Sequence, residues 1–231
     1  MRSNLNYPDS PCVRVVETIH GKRIVDSYRW LEDINSKETK NWIEKQNILT
    51  LNYLGEIKAR PRIRKRIKEL WDYKHYGVPI KKGGRYFFTC KDGLQNQGIL
   101  YWMDSLDNEA QVLLDPNELS EDGTIALTGY AISKDGRFLA YGLSTAGSDW
   151  QEWKVRRVED SQDLEDHLEW IKFLLEVSWV PNNEGFFYSR YDQPEKGSEY
   201  KATNYYQKLY YHRLGTSQAD DGLIYERPDE K

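Results

Sequence analysis

Gly84-Arg85-Tyr86-Phe87-Phe88, Gly136-Arg137-Phe138-Leu139-Ala140-Tyr141 and Gly185-Phe186-Phe187-Tyr188-Ser189 repeat one pattern: a glycine that closes a turn, then an aromatic strand. Each is followed by a second strand-like run: Leu100-Tyr101-Trp102-Met103-Asp104, Trp153-Lys154-Val155-Arg156-Arg157-Val158 and Leu209-Tyr210-Tyr211-His212-Arg213-Leu214. A repeat of about fifty residues built from short strands reads as propeller blades. Such units bury their faces only against neighbours, and a propeller closes with about four to eight of them. Three copies therefore imply an incomplete circle, the last copy unfinished, belonging to something larger.

The sequence around these copies sorts into two kinds. Up to about residue 71 it reads as helical. Ser36 can cap a helix with Glu38 in its first turn, and Trp42, Leu49 and Tyr53 follow on one stripe. Pro61 suits the first position of a second helix, where Ile63, Ile67, Leu70 and Trp71 fall on one side. From residue 72 the period becomes that of strands, punctuated by Lys82-Gly83-Gly84, Lys91-Asp92-Gly93, Glu121-Asp122-Gly123, Lys134-Asp135-Gly136 and Asn182-Asn183-Glu184-Gly185. The acidic segment Glu159–Glu169 reads as a connecting loop or a helical turn. The expected fold is mainly β with an N-terminal α-helical extension (residues 1–71), followed by a partial propeller (residues 72–231).

Composition narrows the function. The chain of 231 residues is 39% apolar and 13% aromatic, with only 2 Met, a balance that favours sheets over helix bundles. A formal charge of −4 disfavours a general affinity for nucleic acid. The basic run Arg62, Arg64, Lys65, Arg66 and Lys68 is read as a solvated helix face. Cys12 and Cys90 are isolated and lack metal-ligand spacing, which suits reduced thiols. No secretory h-region or membrane-length apolar run is present, so a cytoplasmic protein without membrane contact is expected.

A catalytic set is harder to find. Gly142-Leu143-Ser144-Thr145-Ala146-Gly147 approaches a nucleophile elbow, but Ala146 stands where the second glycine belongs and no helix pattern follows. It is read as a strand-end turn. Asp166 and His167 are sequence neighbours, which does not orient an imidazole, and His212 is expected as a packed or hydrogen-bonded sheet residue. No metal, phosphate or dinucleotide motif occurs. The expectation is a chain with no catalytic residues, no metal and no cofactor of its own.

Several stretches taken in order resemble the N-terminal part of the prolyl oligopeptidase family. They are Tyr7-Pro8, Asp26-Ser27-Tyr28-Arg29-Trp30-Leu31-Glu32-Asp33, Gly93-Leu94-Gln95-Asn96-Gln97, Leu114-Asp115-Pro116-Asn117, Ser120-Glu121-Asp122-Gly123-Thr124, Gly147-Ser148-Asp149-Trp150, and Thr203-Asn204 through Gly215-Thr216. Ser27 replaces the proline usual in the second of these. The resemblance implies the propeller portion of a two-domain serine endopeptidase that cleaves short proline-containing peptides. An α/β-hydrolase domain, absent here, would carry the Ser-Asp-His triad, and residues 1–71 would pack on it. The chain alone is then expected to be inactive. The resemblance also implies that Phe173 reaches toward a substrate subsite, with a core phenylalanine as the alternative. It implies that Asp149 faces the catalytic domain, with a turn-forming role as the alternative. Thr128 stands where relatives often carry arginine. The competing functional expectation is a stand-alone, non-catalytic binding or regulatory module.

Overall fold

The computed structural model describes residues 5–195, 197–198 and 203–229, which form two compact units, Met1–Leu70 and Trp71–Lys231. In the first unit a hairpin of β1 (Val15–Ile19) and β2 (Lys22–Asp26) precedes helices α1 (Lys37–Gly55) and α2 (Arg60–Trp71). Ser36 caps α1 by accepting a hydrogen bond from the Thr39 amide at 3.1 Å. Arg29 ties the following turn to the hairpin through ion pairs with Glu17 and Asp26. Trp30 and Trp42 meet edge to face at 6.2 Å, and each indole nitrogen donates to the segment Ser10–Pro11. The basic residues of α2 are exposed, as a solvated face should be, yet Ile63, Ile67, Leu70 and Trp71 are also more than half exposed.

Among the described residues, the second unit consists of three antiparallel sheets in sequence order. The first contains β3 (His75–Tyr76), β4 (Ile80–Lys82), β5 (Arg85–Lys91), β6 (Ile99–Met103) and β7 (Gln111–Leu114). Both β3 and β4 pair with β5, so together they act as one interrupted strand. The second sheet runs β8 (Ile125–Ile132), β9 (Phe138–Thr145), β10 (Trp150–Arg157) and β11 (Asp163–Lys172). The third runs β12 (Ser178–Trp179), β13 (Gly185–Arg190), β14 (Lys208–Arg213) and β15 (Gly222–Tyr225). The repeated motif thus marks the same neighbouring pair in each sheet: β5–β6, β9–β10 and β13–β14.

Alternation along the second sheet explains how the three stack. Ile132, Leu139 and Tyr141 pack with Phe87, Leu100, Trp102, Leu113 and Leu114 of the first sheet. Their neighbours Ala131 and Ala140 turn the other way, joining Trp153, Val155, Leu168 and Ile171 against Val177, Trp179, Phe186 and Tyr188. Because side chains alternate along a strand, one sheet feeds two cores. Trp153 is fully buried in the second core. Small residues matter where sheets meet at turns: a Cβ on Gly83 would lie 1.7 Å from the Asp135 carbonyl oxygen. The φ of +53° at Gly83 likewise favours glycine.

One expectation fails here. Most of Glu159–Glu169 is neither loop nor helical turn but strand β11, beginning at Asp163. Its acidic residues obscure a period of two in which Asp166 and Leu168 point inward while Glu165 and His167 face solvent.

The buried Asp166 also has an unexpected partner. Its Oδ1 lies 2.9 Å from Nε2 of His212, on β14 of the next sheet, rather than serving the adjacent His167. His212 is fully buried, and its Nδ1 lies 2.7 Å from Asp221 Oδ1. Tyr188, its phenol pushed above the usual range mainly by burial, donates to Asp221 Oδ2 at 2.7 Å. An imidazole between two carboxylates serves both by donating from both nitrogens, which requires the charged form. Burial opposes that charge, but the hydrogen bonds to Asp166 and Asp221 outweigh it and push the His212 pKa up to about 9.

Replacing His212 with leucine should leave two buried carboxylates unpaired and cost about 3–5 kcal/mol, measured by urea unfolding. The sign of the pH effect follows from a folded pKa above the unfolded value. The His212 contribution is complete below about pH 6.5 and is lost as pH rises through about 9. The urea midpoint should therefore fall between pH 7 and pH 10, and this fall should be smaller in His212→Leu. Trp153→Ala should cost about 3–5 kcal/mol in the same assay at pH 7.

Candidate functional site

The hairpin of β10 and β11 ends in a cluster of aromatic and charged groups. Its geometry begins with the register: Trp150 opposes Lys172, so the residue before one and the residue after the other, Asp149 and Phe173, flank a single rung. Ahead of that rung, β9 turns into β10 through Ala146 and Gly147, both in the left-handed region at φ +52° and +74°. Ser144, considered above as an approach to a nucleophile, donates its hydroxyl to the Ser148 carbonyl inside this turn. The sequence Gly142–Gly147 is the end of strand β9 and the turn that follows it.

Lys172 is buried under the aromatic residues. Its Nζ lies 3.9 Å from the centroid of the Trp150 ring and donates to Asn204 Oδ1 at 2.8 Å. Burial pulls the ammonium below its ordinary pKa range, and the Asp149 carboxylate works against that shift. Trp150 also meets Trp170 edge to face at 5.6 Å and Tyr191 at 6.4 Å. The Tyr191 amide donates to the Trp170 carbonyl at 2.9 Å, joining the cluster to the chain that follows β13.

Phe173 is placed outside both cores and is 59% exposed. Its backbone lies at φ +58°, and Trp170 lies at φ +62°. Bulky residues rarely adopt this region, so the surrounding packing must impose it. Part of that packing is visible at Gly129 in β8, where a Cβ would stand 2.1 Å from the Leu175 carbonyl oxygen. The turn after Phe173 thus runs directly over the β8 backbone. Thr128, the preceding residue, is an unpaired bulge between Leu127 and Gly129, and its buried hydroxyl has no hydrogen-bond partner among the described residues.

The structure therefore brings Asp149 and Phe173 to one end of one hairpin, while Thr128 lies in the strand beneath the following turn. Sequence reasoning missed Trp170, Lys172, Tyr191 and Asn204. Lys172 gave a weak signal by adjoining Phe173, and Asn204 by lying in a family-like stretch; Trp170 and Tyr191 gave none. Chemically the cluster offers an exposed aromatic face, a carboxylate and a buried ammonium. Such groups can hold and orient a ligand or a neighbouring protein surface.

Residues 8–231 match the family described as prolyl oligopeptidase, N-terminal β-propeller domain. The chain is 38% identical over 220 residues to a prolyl endopeptidase of Elizabethkingia meningoseptica, covering 95% of this chain and 31% of that protein. It is 30% identical over 253 residues to a prolyl endopeptidase of Dictyostelium discoideum, covering 90% and 33%. A solved prolyl endopeptidase structure superposes with a TM-score of 0.84 at 31% identity, over 96% of this chain and 33% of the other. Prolyl oligopeptidase B from Galerina marginata, bound to a 35mer hydrolysis and macrocyclization substrate, superposes with a TM-score of 0.76 at 26% identity, over 97% and 34%. The chain thus spans about a third of the length of these relatives. It belongs to the prolyl oligopeptidase family and matches the N-terminal propeller portion of its members; the match does not cover their catalytic domain.

Proposed function

We propose that this chain is the substrate-filtering part of a prolyl oligopeptidase-type serine endopeptidase that cleaves short peptides after proline. In this reading the three sheets are the first blades of a seven-bladed propeller, and an α/β-hydrolase domain supplies the nucleophile, base and oxyanion hole. The observation that carries the reading is Phe173, exposed at a positive φ beside the Asp149–Trp150–Lys172 cluster. An aromatic side chain held outside the core at a conformational cost is better suited to contacting a ligand than to packing. The exposed carboxylate of Asp149 beside it supports pairing with a cation on the catalytic domain. The exposed apolar side of α2, formed by Ile63, Ile67, Leu70 and Trp71, supports docking of the N-terminal segment on that domain.

The purified chain should not hydrolyse a chromogenic prolyl peptide; turnover above a buffer blank would overturn the division of labour. Combined with a separately produced hydrolase portion, it should restore cleavage. In that assembly Phe173→Ala should raise KM for a short prolyl peptide about tenfold or more with little change in kcat. An unchanged KM would remove Phe173 from the substrate path.

A further inference from the structure

The outer face of the β10–β11 hairpin carries a second cluster, separate from Phe173 and Asp149. Glu152 on β10 and His167 and Glu169 on β11 converge so that one ligand atom from each lies within 4.8 Å of the others. His167 Nε2 is already 3.1 Å from Glu152 Oε2. Around one zinc ion with ordinary bond lengths, ligand atoms stand roughly 3.3 Å apart. Small rotations of exposed side chains would therefore close the set. We propose that Glu152, His167 and Glu169 form a binding site for a divalent transition metal such as Zn2+.

The strand pairing explains the convergence. His167 and Glu169 are two apart on one strand and share a face. A bulge shifts the register between Gln151 and Trp153, where β11 holds Glu169 and Trp170 opposite the single residue Glu152. The inward neighbours Gln151, Trp153, Leu168 and Ile171 are buried, which anchors the backbone beneath the three ligands.

Charge favours a cation at this place. Glu165 adds a third carboxylate beside the set, while Lys154, the register partner of His167, and Arg190, which lines the same cleft, add two opposing cations. The face remains net negative. His167 and Glu169 also line an open cleft of about 620 Å³, leaving room for water to complete the coordination. One imidazole nitrogen with two carboxylates suits Zn2+, Co2+ or Ni2+, whereas Mg2+ prefers oxygen ligands alone.

Titrating the 231-residue chain with ZnCl2 by isothermal calorimetry at pH 7 should reveal one saturable site, and MgCl2 should not occupy it. His167→Ala and Glu152→Gln should each weaken Zn2+ binding at least about tenfold. His20→Ala, an exposed histidine of the first unit, should leave it unchanged. Thermal melts of the unsubstituted chain give a measurement independent of the variants: saturating Zn2+ should raise the melting temperature and Mg2+ should not. Absence of saturable Zn2+ binding by a chain that melts cooperatively would overturn the site. Binding that survives both substitutions would do the same.

Discussion

A sheet with apolar side chains on both faces can exist in water only if both faces are covered, and the second sheet lives under this constraint. Leu139 and Tyr141 look toward the first sheet while Ala140, between them, looks toward the third. The same alternation recurs at Ala131 and Ile132. Neither flanking sheet could be removed without exposing one half of a strand that has no polar side. The stacking order is thereby written into the period of two, and the glycine turns that bring Gly83 against Asp135 let the backbones come close enough for that stacking.

Polar groups then fix what apolar contact leaves free to slide. The hydrophobic effect has no direction, so matching faces alone would tolerate small shifts. Arg156 spans the first and second sheets by donating to the Leu113 carbonyl at 3.0 Å while pairing with Asp163. Trp179 spans the second and third by donating to the Ala131 carbonyl at 3.2 Å. The His212 cluster does the same with buried charge, where misalignment would be most costly.

Legibility in the sequence followed the strength of local chemistry. The pairs β5–β6, β9–β10 and β13–β14 were readable because a turn glycine and dense aromatics coincide there. Strand β11 was not, because its solvent-facing acids look like loop composition while only every second residue is inward. The capped helix at Ser36 announced itself, since capping depends on residues a few positions apart. Asp149 and Phe173 were singled out through family resemblance and not through pattern. Their association with Trp150 and Lys172 depends on a register set by a bulge. Likewise His212 was expected to be a packed or hydrogen-bonded sheet residue, but nothing local pointed to Asp166, 46 positions away. The left-handed backbone at Trp170 and Phe173 had no sequence signal, because the turn around them imposes it.

The buried imidazolium has a consequence for the heat of folding. Near pH 8 an unfolded histidine is mostly neutral, whereas His212 in the folded chain carries its proton. Folding therefore takes up a proton from the solution at this site, and unfolding returns it. The buffer supplies and receives that proton at its own enthalpy of ionisation. The calorimetric enthalpy of this chain at pH 8 thus belongs jointly to the protein and its buffer, and it will differ between phosphate and Tris even where the melting temperature is the same.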